Sequence, residues 1–299
     1  MLIRHLSYFV TLARERHFAR AADACHVAQP TLSAAIRKLE EDMGAPLVER
    51  GRRFIGLTPE GEKLLTWGRQ ILIDYQSLRE TLSGKGLVGE MRLGVIPAAL
   101  PAVAFLTERI CAANPGATID IRFIEPRAIA KGLDAFELDG GITYLENQPA
   151  ANVECIPLYA ERYKFVVNRS HPLAARRSIS WHEAAGERLC LLSHDMQDRR
   201  VIDRLATSIG LAVSPVVVSN SFLAVFAHLR QGGWASIMPF SFFHVLRLEP
   251  DLVAVDLVEP VHMETIGLII SGRAPRSPMT AALVGAALET DIDAAFANL

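Results

Sequence analysis

Leu6, Phe9, Val10 and Ala13 recur at i, i+3, i+4 and i+7, the spacing of one face of an amphipathic helix. Phe18 to about Cys25 predicts a second helix, in which Ala21 and Ala22 are small enough to let another helix approach, and His26-Val27-Ala28 interrupts it. A third helix starts near Gln29. Pro30 suits its first turn, because the N–H that proline lacks would be unpaired there anyway. Leu32, Ile36 and Leu39 form its inward face, leaving Gln29, Thr31, Ser33, Ala34 and Arg37 mostly outward. Two short apolar runs follow, Pro46-Leu47-Val48 and Phe54-Ile55-Gly56-Leu57, and between them lie Arg50, Arg52 and Arg53. They predict a two-stranded basic wing. Thr58 can cap and Pro59 can open a further helix running to about Ser83. Its Leu64/Ile71/Leu78 and Gly68/Tyr75/Leu82 repeats at seven predict a heptad seam of about 40 Å.

Beyond residue 91 the pattern changes to alternating strands and helices. "MRLGVI" leads to a helix over about 99–113, "TIDIRFI" to one over about 127–136, and "GGITYL" closes that run. "YKFVV", "LCLLS", a helix from about Gln197 to Ile209, "PVVVS", a helix from about Phe222 to Gln231 and "WASIMP" form a second unit, and the chain returns at "TIGLIIS". Such alternation predicts α/β sheets, and two crossings predict two subdomains around a cleft.

Composition places limits on this picture. A chain of 299 residues, 50% hydrophobic and 21% charged, has room for two or three ordinary globular domains. The net charge of −2 does not point to nucleic acid, but residues 1–58 carry nine basic against six acidic residues, a surplus of three that leaves the remainder at −5. Cys25, Cys111, Cys155 and Cys190 have no CxxC spacing, which argues against a metal site or a disulfide framework and for a reducing compartment. The amino-terminal segment lacks a signal-peptide pattern, and no run of eighteen apolar residues occurs. We therefore expect a cytoplasmic protein with no membrane association.

Catalytic motifs do not hold up in context. Gly84-x-Gly86-x-x-Gly89 ends a helix and precedes a strand, the reverse of the order that binds dinucleotides, and reads as a linker. His182-Glu183 begins an HExxH pattern without the second histidine. No nucleophile elbow or P-loop is present. Neither an enzyme, a cofactor nor a metal is expected.

A short helix-turn-helix with polar residues at the start of its second helix suits major-groove reading. Gln can pair with adenine, Arg with guanine or phosphate, and the Arg50/Arg52/Arg53 turn can follow a phosphate backbone. A helical hairpin whose polar face only meets water is the alternative. The segments Phe18-Ala21-Ala22, Gln29-Pro30-Thr31-Leu32-Ser33, Leu39-Glu40, Arg50 and Leu57-Thr58-Pro59-Glu60-Gly61 resemble the winged helix-turn-helix of LysR-type transcriptional regulators, with Val48 where that family commonly has Phe. The resemblance implies an α/β protein with an N-terminal winged helix-turn-helix, a long linker helix and a two-subdomain, periplasmic-binding-protein-like effector domain. Its implied boundaries are 1–58, 59–90 and 91–299, with subdomain I at about 91–161 and 267–299 and subdomain II at about 162–266. Crossings near 161–165 and 264–268 would act as the hinge. The partners implied are double-stranded operator DNA, a second copy in a homodimer or homotetramer, and RNA polymerase if the protein is an activator.

Three strand-to-helix junctions are candidates for effector binding, because free N–H groups at helix starts favour anions. They are Pro97-Ala98-Ala99-Leu100, the 193–197 turn with Ser193, His194 and Gln197, and Asn220 to Phe222, with Tyr144 at the end of a neighbouring strand. Helix capping is the alternative for Ser219 and Asn220. Ala98 and Ala99 stand where many relatives have Ser or Thr, which leaves the main chain as donor and points to a small carboxylate. Longer stretches such as "RAIAKGLDAFELDGGITYLENQP" and "VVSNSFLAVFAHLRQGGWASIMP" resemble LysR-type regulators associated with bacterial formate dehydrogenase operons, which makes formate the leading effector. The alternatives are a redox sensor of the same architecture using Cys155 and Cys190, or a solute-binding protein that needs no DNA reader. Neither cysteine has an adjacent Lys, Arg or His to favour the thiolate.

Overall fold

A computed structural model of the chain describes residues 2–50, 54–83, 87–146, 153–246, 251–272 and 276–297. They form two compact units, one built on residues 2–88 with the segments 134–137 and 276–279 grouped to it, the other on the rest.

The first unit opens with three helices, α1 (Leu2–Glu15), α2 (Phe18–Ala24) and α3 (Gln29–Met43). Leu6, Phe9 and Leu12 of α1, Ala21 and Ala22 of α2, and Leu32, Ile36 and Leu39 of α3 bury together in one core. At roughly 1.5–3 kcal/mol for each large apolar side chain, this core outweighs the weak helix propensities of such short segments. The turn after α2 closes through Val27 N–H donating to the Ala22 carbonyl at 3.0 Å, with His26 in the left-handed region (φ 53°). Gly44 ends α3 at φ 68°, where a side chain would be strained. The wing is an antiparallel pair, β1 (Val48–Arg50) and β2 (Phe54–Leu57), in register Val48 with Leu57. Glu40 ties α3 to it, its Oε1 accepting from the N–H groups of Leu47 (3.0 Å) and Val48 (3.3 Å).

The long helix α4 (Pro59–Ser83) begins under a Thr58 cap, whose Oγ1 accepts from Gly61 N–H at 3.0 Å. Gly61 is required because a Cβ there would lie 2.1 Å from the Leu47 carbonyl oxygen. The expected heptad seam is corrected by packing. Leu64 sits against the core of the helical unit, and Gly68 faces Leu6 so closely that a Cβ would come within 2.8 Å. The exposed apolar stripe is instead Trp67, Ile71, Tyr75, Leu78 and Leu82.

In the second unit, β3 (Val88–Val95) runs into a 3-10 turn (Pro97–Ala99) and α5 (Leu100–Ala113). β4 (Gly116–Phe123), α6 (Pro126–Asp134) and β5 (Gly140–Tyr144) follow. The strand β6 (Val153–Asn168) is much longer than the "YKFVV" expected. After it come β7 (Ser178–Ser180), α7 (Trp181–Ala185), β8 (Cys190–Leu192), α8 (Gln197–Ser208), β9 (Val217–Ser219), α9 (Phe222–Arg230), β10 (Ala235–Pro239) and α10 (Ser241–Leu246). β11 (Leu252–Val258), β12 (Met263–Ser271), α11 (Pro278–Glu289) and α12 (Ile292–Ala297) complete it. Eight strands form one sheet in the order β4-β3-β5-β12-β6-β11-β7, with β10 also on β6, and β8-β9 form a parallel pair.

β6 is the shared element. It pairs antiparallel with β12 from Val153 to Arg162, and with β10 from Tyr163 to Val167. Alternation along it sends Tyr159, Glu161 and Tyr163 to a buried face and leaves Ala160, Arg162 and Lys164 on the other, less buried one.

Candidate functional site

In the first unit, α3 exposes Gln29, Pro30, Thr31 and Arg37, with Ser33 half-buried. Ala28, the residue before α3, offers no side-chain cap, so the first-turn N–H groups are met only by Thr31 and Leu32 bonding back to the Ala28 carbonyl (2.9 and 3.2 Å). Nothing in the unit covers this helix start among the described residues. The Arg50 backbone lies in β1, opposite Phe54. Arg52 and Arg53 lie outside the described residues, as do Gly84 and Gly86.

In the second unit, the residues of the expected anion cradle have the following surroundings. Ala99 N–H donates to the Ile96 carbonyl (3.0 Å) and Leu100 N–H to the Pro97 carbonyl, so the 3-10 turn occupies two of the main-chain donors expected for a carboxylate. Pro97, Ala98 and Ala99 are fully buried, and Leu100 faces outward. Ser193 bonds to Asp195, and His194 Nδ1 pairs with Asp203 at 2.9 Å on the surface. Gln197 accepts from Arg200 Nε at 3.0 Å, Asn220 is exposed, and Phe222 stacks on Phe242 at 3.8 Å. Ser193, His194, Gln197 and Phe222 thus each have a local partner. His182 and Glu183 start α7, where Glu183 completes a capping box with Ser180. The backbone N–H of Ser180 holds the Glu183 carboxyl below its ordinary range.

A different cluster is assembled from elements far apart in the chain, and of the expected residues it includes Tyr144 and the Ala98 carbonyl. Tyr144 O–H donates to Asp198 Oδ1 at 2.7 Å and lies 3.0 Å from the Tyr163 hydroxyl. Glu161 Oε1 accepts from the N–H groups of Ser241 and Arg162, both at 3.1 Å. The Ala98 carbonyl accepts from Ser241 Oγ (2.9 Å) and Tyr159 Oη (3.4 Å). Asp198 and Glu161 are wholly buried, yet Asp198 Oδ2, Glu161 Oε2 and the Thr143 hydroxyl have no hydrogen-bond partner among the described residues.

Buried acceptors without partners cost about 1–3 kcal/mol each, and Glu161 Oε2 and Asp198 Oδ2 are two such acceptors within one buried cluster. Burial pushes the Glu161 carboxyl up to about 7, against the opposing Ser241 bonds, and the Asp198 charge adds to the rise. Burial likewise pushes Asp198 up to about 6, although Tyr144 donates to it. All three tyrosines are raised, by burial first; the Asp198 charge comes next for Tyr144 and Tyr163, and the Glu161 charge for Tyr159. Glu161, Asp198 and Ser241 were missed in the sequence. The available signal was an acid inside the apolar β6 pattern and another in the first turn of α8.

Burial raises the Cys190 thiol, and burial with the Glu154 charge raises Cys155. Among the described residues no cluster could hold a metal ion, and no helix is long and apolar enough to cross a membrane.

Residues 3–62 match the bacterial regulatory helix-turn-helix proteins of the lysR family, and residues 84–291 match the LysR substrate binding domain. The DNA-binding transcriptional dual regulator OxyR of Escherichia coli is 30% identical over 284 residues, covering 93% of this chain and 91% of the relative. A hydrogen peroxide-inducible genes activator from Dickeya chrysanthemi is 35% identical over 207 residues, 67% of each chain. The solved structure of a full-length OxyR variant from Pseudomonas aeruginosa superposes with a TM-score of 0.76 at 27% identity, covering 97% of this chain and 98% of that one. With both units matched and the helix-turn-helix, wing and sheet in place, the chain belongs to the LysR family of DNA-binding, ligand-responsive regulators.

Proposed function

We propose that α3 reads operator DNA through Gln29, Thr31, Ser33 and Arg37, with Pro30 shaping the helix start and Arg50, Arg52 and Arg53 on the phosphates. The observation that carries this is one helix with Leu32, Ile36 and Leu39 locked into the core while its polar start stays uncovered within its unit. The exposed stripe of α4 holds two copies together, so that two recognition helices meet successive major grooves about 34 Å apart. Gel shifts on specific and scrambled operators test the reading. Gln29→Ala should lose about 1–3 kcal/mol on the specific site alone, and equal loss on both would remove it as a base reader.

The effector binds at the Tyr144, Glu161, Asp198 and Ser241 cluster and is a small uncharged or cationic molecule bearing hydrogen-bond donors. Two buried acids, each with one oxygen unpartnered, support this reading over the small carboxylate, formate first, that the sequence resemblance implied, since an anion there would meet like charge. The relatives named for hydrogen peroxide make that molecule, itself a small neutral donor, one member of the class to test. Sensing through Cys155 or Cys190 thiolates is the weaker reading, because both thiols are pushed up. Thermal shifts of the full chain with acetamide, ethanolamine, hydrogen peroxide, formate and acetate decide. A donor-bearing ligand at a hundred times its Kd should add about 2.7 kcal/mol. Stabilisation by formate and none of the donors would overturn the assignment.

A further inference from the structure

On the opposite face of β6 from the acid cluster lies a cavity of about 550 Å³, within the range of small-molecule sites. Its walls are Arg162 and Lys164 of β6, Phe240, and Asp291, Asp293 and Phe296 at the carboxyl-terminal end of the chain.

The charges of this cavity are unevenly satisfied. Lys164 is paired with Asp256 and sits 5.2 Å from the centre of the Phe240 ring. Arg162 makes no side-chain hydrogen bond or ion pair among the described residues, even though two carboxylates line the same cavity. Asp291 Oδ1 accepts from Ala294 N–H at 2.8 Å and Asp293 Oδ1 from Ala160 N–H at 3.3 Å, which leaves the second oxygen of each without a protein partner among the described residues. Phe240 and Phe296 meet edge to face at 6.4 Å and supply an apolar wall. A simple anion would be opposed by two aspartates and a simple cation by Arg162. A molecule carrying both charges and an apolar group meets every wall.

We propose that this cavity is a second ligand site, taking a zwitterionic amino acid with an aromatic or large apolar side chain. The carboxylate engages Arg162, the ammonium engages Asp291 and Asp293, and the side chain packs on Phe240 and Phe296. The site is wired to the acid cluster through two adjacent residues. Phe240 N–H donates to the Arg162 carbonyl at 2.7 Å, and Ser241 N–H donates to Glu161 Oε1 at 3.1 Å. A ligand that moves Phe240 therefore moves the residue that holds Glu161.

Calorimetry on the full chain tests this with L-phenylalanine, 3-phenylpropanoate, which lacks the ammonium, and 2-phenylethylamine, which lacks the carboxylate. L-phenylalanine should bind saturably, and each single-charge analogue at least tenfold more weakly. Arg162→Gln, at an exposed side chain without a partner, should melt as the wild type does and weaken L-phenylalanine at least tenfold. Asp293→Asn keeps the acceptor for Ala160 N–H and should weaken the amino acid and the amine but not the phenylpropanoate. No saturable heat from L-phenylalanine up to about 10 mM, a concentration that detects millimolar binding, would overturn the site. Binding unchanged in both variants would place the ligand elsewhere and overturn it equally, and equal affinity for 3-phenylpropanoate would overturn the zwitterion class.

Discussion

Glu161→Gln isolates the energetic consequence of burying an acid in β6. A carboxyl held at about 7 in the folded chain, against about 4.5 when exposed, binds its proton more tightly folded than unfolded. Its contribution to stability is fully present below about pH 4.5 and is lost as the pH rises to about 7. At about 1.4 kcal/mol per tenfold change in proton affinity, the charged form costs about 3 kcal/mol at pH 8. Glu161 is fully buried, so solvent does not screen this cost. Gln has the shape of the protonated acid and retains a carbonyl to accept from Ser241 and Arg162 N–H. The variant should therefore melt close to the wild type at pH 5. At pH 8 it should melt about 6–12 °C higher, at 2–4 °C per kcal/mol for a unit of this size. Asp198, raised to about 6, titrates in the same window and its charge contributes to the Glu161 rise, so the difference between the two proteins includes their mutual repulsion, while the tyrosines stay protonated throughout. Near-UV circular dichroism of the full chain at both pH values is the assay. A difference in melting temperature that is the same at pH 5 and pH 8, or that reverses sign, would refute the reasoning.

Two further perturbations address the first unit. Gly61→Ala places a Cβ 2.1 Å from the Leu47 carbonyl and should cost at least about 1–3 kcal/mol by forcing α4 away from the wing, seen as a lower melting transition and weaker operator binding; an unchanged melt would show that the junction relaxes freely. Replacing Ile71 and Leu78 together by Glu puts like charges into the stripe proposed to join two copies, and sedimentation should show monomers; an unchanged assembly would assign that stripe to another role.

The sequence alone determined the winged helix-turn-helix and the run of strands and helices, because local period decides these elements. Leu32, Ile36 and Leu39 recur at helical spacing, Pro30 and Gly44 punctuate α3, and Thr58-Pro59 opens α4, each acting within a turn or two of itself. The α4 seam was only half legible. Periodicity showed Leu64, Ile71 and Leu78 to be in line, but packing against α1 turned Leu64 and Gly68 inward and left Trp67, Ile71, Tyr75, Leu78 and Leu82 as the outer stripe. Two strands, β7 and β11, escaped notice, β7 because it is only three residues long. The acid cluster lay furthest from view. Its residues come from positions 98, 144, 159, 161, 163, 198 and 241, and no spacing along a chain encodes which of them will meet. The charge preference proposed for the site rests on the same tertiary fact. Helix starts read one at a time predict an anion, whereas the burial of Glu161 and Asp198 supports the opposite preference, because desolvation and mutual repulsion act through space and not along the sequence.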